Sequence, residues 1–305
     1  MKFRTAFVMA ATLAAAAVAA SAQGATFDVS APQGANYAVA SFRLWVPEGA
    51  TPLAAALVLV PGSNGDGRAA VDDPVWKAFA SKQHVALVGC FFKDKPHPES
   101  FIEQYANVVQ GSGEALLGAM QDFAGKAGHP ELATAPFLLW GMSAGGEFNY
   151  EFTAWKPERV IAFVVNKGGI YYTALTSPGA RAVPGMLFIG GSDLDSRKDI
   201  IRGLFALNQR GGANWALAEE PGAAHIVGRS RYVALVFFQD VMELRLGKDG
   251  LEPIAKGTGY VGDPKTMSIQ PVGAGRRAPY PVAWLPTERV ARAWLAMETG
   301  KPFEN

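Results

Sequence analysis

The residues with the clearest potential for chemistry lie in Gly141-Met142-Ser143-Ala144-Gly145, a Gly-x-Ser-x-Gly pattern. An apolar stretch precedes this segment and a helical pattern follows it, which places the serine on a turn between a strand and a helix. Such a turn pushes the hydroxyl out of the sheet, where it can attack a carbonyl carbon. Ser143 is therefore the candidate nucleophile. The structural alternative is a glycine-rich turn whose serine caps the helix.

A serine hydroxyl needs a base that removes its proton. Three of the four histidines precede Ser143, and only His225 follows it, just after the last strand of the predicted sheet. In hydrolases with this type of turn the chain order is serine, acid, histidine, so His225 alone fits the base. Asp193 and Asp195 both follow a predicted strand and compete for the acid. We favour Asp193, because Asp195 adjoins Ser196, the expected helix cap, where a carboxylate has a structural reason to lie.

The negative charge that develops on the attacked oxygen needs backbone N–H donors. One is expected from Ala144, directly after the nucleophile, and the other from the loop after an early buried strand. In that loop, which contains Pro61-Gly62-Ser63-Asn64-Gly65, Ser63 is the first candidate donor and Asn64 the second. Neither a dinucleotide-binding glycine pattern nor a Walker motif occurs there, so nucleotide binding is not indicated.

The segments around these residues alternate between short apolar and longer amphipathic stretches, which predicts an α/β fold with a mostly parallel sheet and helices on both faces. Strands are expected at residues 37–46, 53–60, 84–92, 136–140, 160–165, 186–190 and 214–219. Helices are expected at residues 74–83, 98–127, 144–155, 197–209, 230–246 and 286–297, the second broken near residues 111–113. Ser196 and Asp199 are typical of a capping box. Residues 247–280 are rich in Gly and Pro and predict an irregular surface segment of one domain spanning residues 23–305.

The first 22 residues have the features of a secretory signal peptide. Lys2 and Arg4 precede an apolar run at residues 7–20, and Ala20-Ser21-Ala22 supplies a cleavage pattern. The apolar run is shorter than the roughly 20 residues that a membrane-spanning helix needs, which disfavours a membrane anchor. We therefore expect an exported protein, either periplasmic or secreted.

Charge and cysteine content narrow the classes of partner and site. The net charge of +1 becomes −1 without Lys2 and Arg4, because 26 basic residues then face 27 acidic ones. A nearly neutral domain offers no electrostatic basis for binding nucleic acid. Cys90 is the only cysteine, so no disulfide can form within the chain, and its apolar neighbours predict a buried side chain. No metal and no cofactor are expected.

On these motifs the chain resembles the secreted bacterial α/β-hydrolases grouped around feruloyl esterases and polyhydroxybutyrate depolymerases. The resemblance runs from Leu57 to about Leu246. Its motifs are Val60-Pro61-Gly62-Ser63, Gly141-x-Ser143-x-Gly145, Gly190-Gly191-Ser192-Asp193 and Gly222-x-x-His225. Pro61 stands where many members of the group carry histidine. The resemblance implies an α/β-hydrolase fold and ester hydrolysis, but it specifies no substrate.

The sequence as a whole predicts hydrolysis of a small-molecule or polymeric carboxylic ester through an acyl-enzyme on Ser143. A peptidase on the same fold and a non-catalytic binding protein remain alternatives, whereas a dehalogenase would need aspartate at position 143. The segment at residues 166–184 is too short for a cap domain, which predicts an open cleft. Tyr171 and Tyr172 in this segment, together with Asn64, are the expected cleft walls. The oligomeric state is left open.

Overall fold

The computed structural model describes residues 23–99, 101–273, 278 and 280–303, and the expected signal peptide lies outside the described residues. The large sheet is built from β1 (Gly24–Ala31), β2 (Val39–Pro47), β3 (Ala55–Val60), β4 (Val85–Lys93), β5 (Phe137–Met142), β6 (Val160–Asn166), β7 (Gly185–Gly190) and β8 (Trp215–Glu220). The helices are α1 (Pro74–Gln83), α2 (Ser112–Ala127), α3 (Ala144–Trp155), α4 (Pro178–Ala182), α5 (Asp195–Arg210), α6 (Ser230–Arg245) and α7 (Glu288–Glu298). Short strands lie near the C-terminus: β9 (Leu246–Gly247), β10 (Gly250–Leu251), β11 (Tyr260–Asp263), β12 (Ser268–Pro271) and β13 (Ala283–Leu285).

The eight-stranded sheet has the order β1-β2-β4-β3-β5-β6-β7-β8. The pairs β1–β2 and β2–β4 are antiparallel, and every later pair is parallel. From β4 to β8 all strands therefore end at the same edge of the sheet. Loops that leave this edge meet one another, and this is where open α/β sheets bind their ligands.

Helices cover both faces of the sheet, as the alternation of segments predicts. On one face α2, α3 and α5 pack against sheet residues such as Val58, and Phe148 of α3 and Phe205 of α5 enter that core. On the other face α1, α6 and α7 pack against sheet residues such as Leu57, and Phe237 of α6 enters that core. Successive residues of β3 point to opposite cores because side chains alternate along a strand. The architecture is that of an α/β-hydrolase.

Two helix predictions are wrong in part. The helix expected at residues 98–127 begins only at Ser112, and the stretch before it holds two short 3₁₀ helices, Gln104–Ala106 and Val108–Gln110. The Asn36 amide donates hydrogen bonds to the carbonyls of Gln104 and Asn107, which fixes this stretch outside the α-helix. α5 begins at Asp195, before Ser196, with Leu194 at the N-cap position, so the capping box expected at Ser196 is absent. Tertiary hydrogen bonds override the local pattern in the first case.

Two strand regions also differ from expectation. β1, which pairs with β2 along its length, was not predicted, because most of its residues are small or polar and most of its side chains are exposed. Residues 247–280 are not wholly irregular. They contribute β11 and β12, which form a three-stranded antiparallel sheet with β13. This small sheet contacts β8 and α7.

Two further findings concern membrane-spanning helices and the single cysteine. The helices within residues 23–303 that the structure describes are too short or too polar to cross a membrane. Cys90 is buried, and this burial raises the pKa of its thiol far above the usual range. A thiol in that state is a poor nucleophile.

Candidate active site

Ser143 lies on a tight turn between β5 and α3, with φ 54° and ψ −125°. Residues other than glycine rarely adopt this backbone conformation, and they do so where the surrounding structure imposes it. The close approach of three segments imposes it here. A Cβ on Gly141 would lie 2.1 Å from the carbonyl oxygen of Gly145, and a Cβ on Gly145 would lie 2.1 Å from that of Val60. Only glycine at these positions lets β3, β5 and α3 pack around the serine.

A continuous hydrogen-bonded chain runs from Ser143 through His225 to Asp193. The Oγ atom of Ser143 lies 3.0 Å from Nε2 of His225, and Nδ1 of His225 lies 2.9 Å from Oδ2 of Asp193. A proton on Nδ1 is donated to the carboxylate, which leaves the Nε2 lone pair to accept the serine proton. This arrangement can activate a serine hydroxyl as a nucleophile.

The carboxylate of Asp193 is almost fully enclosed, with 3% of its side chain exposed. Its other oxygen, Oδ1, accepts hydrogen bonds from the backbone N–H of Leu194 at 2.8 Å and from Arg197 at 2.6 Å. Burial by itself raises the pKa of Asp193, but the hydrogen bonds from His225 and Leu194 and the Arg197 charge lower it overall. The carboxylate therefore stays ionised beside the imidazole.

Asp195 occupies a different environment. Its side chain is 90% exposed and pairs with Lys198 at 2.9 Å. The hydrogen bond from Lys198 is the main reason that the pKa of Asp195 is lowered. Of the two aspartates that follow β7, the structure thus brings Asp193 to His225 and leaves Asp195 at the start of α5.

The loops that carry Asp193 and His225 are joined by backbone hydrogen bonds. Ser192 N donates to the carbonyl of Ala223 at 2.9 Å, and Gly191 N donates to that of Glu220 at 2.9 Å. Both bonds extend the pairing of β7 with β8 beyond the strand ends. The spacing between Asp193 and His225 is consequently set by the sheet itself.

The loop after β3 passes close to Ser143. A Cβ on Gly62 would lie 3.6 Å from Cβ of Ser143. The backbone N–H of Asn64 donates to the Tyr105 hydroxyl at 3.3 Å, and its Oδ1 accepts from the N–H of Asp94 at 2.7 Å. Asn64 therefore anchors this loop to the loop after β4, and its N–H is already engaged.

The other two candidate oxyanion donors differ from Asn64 in this respect. Across the described residues, the backbone N–H groups of Ser63 and Ala144 donate no hydrogen bond to the protein. Ala144 begins α3, and the first N–H groups of a helix lack partners within the helix. Free donors beside a nucleophile are what a developing oxyanion requires.

The two tyrosines expected at the cleft have different roles in the structure. The ring of Tyr171 packs edge-on against Tyr150, with centroids 5.0 Å apart, and its hydroxyl is buried without a partner among the described residues. Tyr172 is 43% exposed, and its hydroxyl donates to the carbonyl of Glu103 at 3.2 Å. Tyr172 thus links the loop after β6 to the loop after β4, while Tyr171 mainly supports the core.

Several charged residues around the site were not singled out from the sequence, namely Glu147, Lys167, Arg197 and Glu220. The Oε1 atom of Glu147 accepts backbone hydrogen bonds from Gly169 at 2.7 Å and Ile170 at 3.1 Å. Burial, and then the charge of Glu103, raise the pKa of Glu147 to about 7. Lys167 could have been noticed in the sequence, since a lysine directly after the apolar run at residues 160–165 and Asn166 is unusual. The described residues contain no group of three or more His, Cys, Asp or Glu placed to hold a metal ion.

Comparison with solved structures shows that the chain has an α/β-hydrolase fold. A poly(3-hydroxybutyrate) depolymerase from Bordetella parapertussis superposes with a TM-score of 0.55 at 17% identity, covering 72% of this chain and 91% of that one. An arylesterase (TM-score 0.48, 12% identity, 72% and 84% covered) and a Pyrobaculum calidifontis esterase (0.49, 13%, 73% and 86%) are more distant in structure. No family model matches the chain, and no curated protein matches it in sequence. The depolymerase likeness establishes the fold.

Proposed function

We propose that this protein is a serine hydrolase that cleaves carboxylic esters through an acyl-enzyme on Ser143. The observation that carries the proposal is the hydrogen-bonded chain from Asp193 through His225 to Ser143, located where the parallel strands end. The names of the superposed structures, which include a depolymerase and esterases, agree with this reaction class. We infer the triad from the geometry and chemistry of its members.

In the proposed first step, Nε2 of His225 takes the proton of the Ser143 hydroxyl while Oγ forms a bond to the ester carbonyl carbon. The carbonyl electron pair moves to oxygen, and the N–H groups of Ser63 and Ala144 stabilise the resulting negative charge. One such donor is typically worth about 3 to 4 kcal/mol. The tetrahedral intermediate then collapses, and the imidazolium protonates the leaving alcohol.

In the proposed second step, water attacks the acyl-enzyme. His225 takes a proton from the water molecule, a second tetrahedral intermediate forms, and its collapse returns that proton to Ser143 Oγ. The products are a carboxylic acid and the free enzyme. Asp193 remains ionised throughout and holds the imidazole in the tautomer that can accept a proton at Nε2. The cycle balances without a metal or a cofactor.

The substrate is proposed to be a small-molecule or polymeric ester that enters an open cleft. Between β6 and β7 the chain has one short helix, α4, and no cap domain in this described stretch. The small sheet of β11, β12 and β13 contacts β8 and α7. An open cleft without a cap domain suits soluble short-chain esters and accessible polymer chains.

Active-site labelling tests the proposal. A fluorophosphonate probe should form an adduct on Ser143, located by digestion and mass spectrometry, and Ser143→Ala should lose it. Ser192→Ala is the matched control, because this exposed serine lies in the neighbouring acid loop and contributes to it through its backbone N–H. Labelling that persists in Ser143→Ala would show that the nucleophile lies elsewhere.

Substrate assays separate esterase from the alternatives. Turnover of p-nitrophenyl acetate without turnover of peptide anilides supports the esterase. The reverse result identifies a peptidase on the same fold, and inactivity on both, together with no labelling, identifies a binding protein.

Ser63→Ala should keep ester turnover near the wild-type value, because the proposed donor is the backbone N–H and not the side chain.

We also propose export, with removal of residues 1–22. The proposal rests on Lys2 and Arg4, the apolar run at residues 7–20 and the pattern Ala20-Ser21-Ala22. Expression of the full chain in a Gram-negative host, followed by N-terminal sequencing of the periplasmic protein, should give a chain beginning at Gln23. Full-length protein confined to the cytoplasm would contradict the proposal.

A further inference from the structure

Lys167 is an unusual residue in this fold because a charged side chain is completely buried next to the active site. It directly follows β6 and has no exposed surface. Its backbone lies in the left-handed region, with φ 55°, which few residues other than glycine adopt. Burying an ammonium group is costly unless it is paired. The surroundings of Lys167 must therefore supply a partner and a specific shape.

The partner of Lys167 is the last residue of β8. Its Nζ donates to Oε2 of Glu220 at 3.1 Å and to Oδ1 of Asn166 at 3.2 Å. The side chains of Lys167 and Glu220 are 0% and 8% exposed. Burial lowers the pKa of Lys167, and the hydrogen bond to Glu220 opposes that shift. We call Asn166, Lys167 and Glu220 the buried polar cluster.

This cluster binds the far end of the loop that carries His225, residues 221–229. The second carboxylate oxygen of Glu220 accepts the backbone N–H of Arg229 at 2.8 Å. Nδ2 of Asn166 donates to the carbonyl of Val227 at 3.3 Å. Asn166, the last residue of β6, and Glu220, the last residue of β8, thus hold the loop just after His225.

The cluster also lies against the near end of the same loop. A Cβ on Gly190 would lie 2.5 Å from the carbonyl oxygen of Ala223 and 2.9 Å from Cε of Lys167. The aliphatic part of Lys167 therefore packs beside the point where the acid loop and the His225 loop meet. The imidazole itself is 32% exposed and is held by its bonds to Ser143 and Asp193.

We propose that Lys167 and Glu220 are positioning residues that fix the His225 loop in the conformation needed for proton transfer. The inference rests on the proposed function of Ser143 and His225. Buried ion pairs add little net stability, since desolvation offsets their attraction, and in some proteins buried polar groups instead serve to fix one conformation. Misplacement of a catalytic group by about 1 Å can reduce turnover about 100-fold. A paired cation beneath the loop is suited to prevent such displacement.

The test compares Lys167→Met, Glu220→Gln and the double variant with Glu219→Gln. Glu219 is the matched control because it neighbours Glu220 but makes a half-exposed ion pair with Arg202. For wild type and each variant, kcat and KM on p-nitrophenyl acetate and the rate of fluorophosphonate labelling of Ser143 are measured. Circular dichroism melts establish that each variant is folded at the assay temperature.

We expect Lys167→Met and Glu220→Gln each to lower kcat by about 10- to 100-fold, with KM nearly unchanged and labelling slowed in parallel. The double variant should be no slower than the worse single variant, because the two residues act as one pair. Glu219→Gln should match wild type. A merely structural pair would lower the melting temperature and leave kcat of the folded protein intact.

Two results would overturn the inference while the proposed function stands. One is wild-type kcat in folded Lys167→Met and Glu220→Gln, and the other is losses that multiply in the double variant. If Lys167→Met fails to fold, Glu220→Gln decides, because its amide oxygen can still accept the Arg229 N–H. Wild-type protein that is not labelled at Ser143 would overturn both the proposed function and this inference.

Discussion

Asp193→Asn is the substitution whose consequence follows most directly from the geometry. The Oδ1 atom of Asp193 accepts two hydrogen bonds, from the N–H of Leu194 and from Arg197. An asparagine must keep its oxygen toward these two donors, so its NH2 group replaces Oδ2 opposite His225. An NH2 group can only donate to Nδ1. The imidazole is then forced into the tautomer with its proton on Nε2, which cannot accept the proton of Ser143.

The expected loss follows from this wrong tautomer. Turnover should fall by about 10⁴-fold, which corresponds to about 5 kcal/mol of lost transition-state stabilisation. The expected loss of turnover is large because the carboxylate is enclosed, with only 3% of the Asp193 side chain exposed. KM should change little, because Asp193 is proposed to orient His225 and not to bind the substrate.

The assay measures kcat on p-nitrophenyl acetate for Asp193→Asn and Asp195→Asn, with melting curves to establish folding. Asp195 provides the control, since its side chain is 90% exposed and pairs with Lys198 instead of His225. Asp195→Asn should keep wild-type turnover. Folded Asp193→Asn that retains more than about a tenth of the wild-type kcat would refute the tautomer argument. An inactive Asp195→Asn beside an active Asp193→Asn would exchange the two roles.

Three further predictions concern the surroundings of the site. Arg197→Met removes a charged hydrogen bond to Asp193 and should lower kcat about tenfold, well short of Asp193→Asn; unchanged kcat would show that Leu194 alone orients the carboxylate. Burial and the charge of Glu103 raise the pKa of Glu147 from 4.5 to about 7. Protonated Glu147 therefore stabilises the folded state fully below pH 4.5, and this stabilisation is lost as the pH rises through about 7. Glu147→Gln should therefore gain stability over wild type in urea unfolding only as pH rises, and a pH-independent difference would contradict this. Finally, an open cleft should give smooth ester hydrolysis through the solubility limit of the substrate, without the jump in rate that a mobile lid produces.

The fold was predictable because its strands are buried on both faces. Segments such as β3 and residues 160–165 of β6 are continuous apolar runs, and such runs between amphipathic helices are typical of parallel sheets. β1 was missed because it is an edge strand of mostly small or polar residues, whose assignment depends on pairing with β2. The segment before α2 was predicted as part of the α-helix because the hydrogen bonds from Asn36, 68 and 71 residues away, leave no local pattern.

The sequence by itself determined which residue types could form the site and in what order. Gly141 and Gly145 flank Ser143 because the turn admits no side chain there, and this steric requirement is visible in the sequence. His225 followed from chain order, since no other histidine comes after the serine. Local sterics and order along the chain are properties that a sequence carries directly.

The tertiary structure decided what depends on distances between separate strands. It distinguished Asp193 from Asp195, because only the former points from the end of β7 toward His225 at the end of β8. It separated Ser63 from Asn64 by showing which N–H group Tyr105 already engages. It also paired Lys167 with Glu220 across 53 residues of chain. Such pairings arise where parallel strands end side by side, and no local pattern encodes which of their loops will meet.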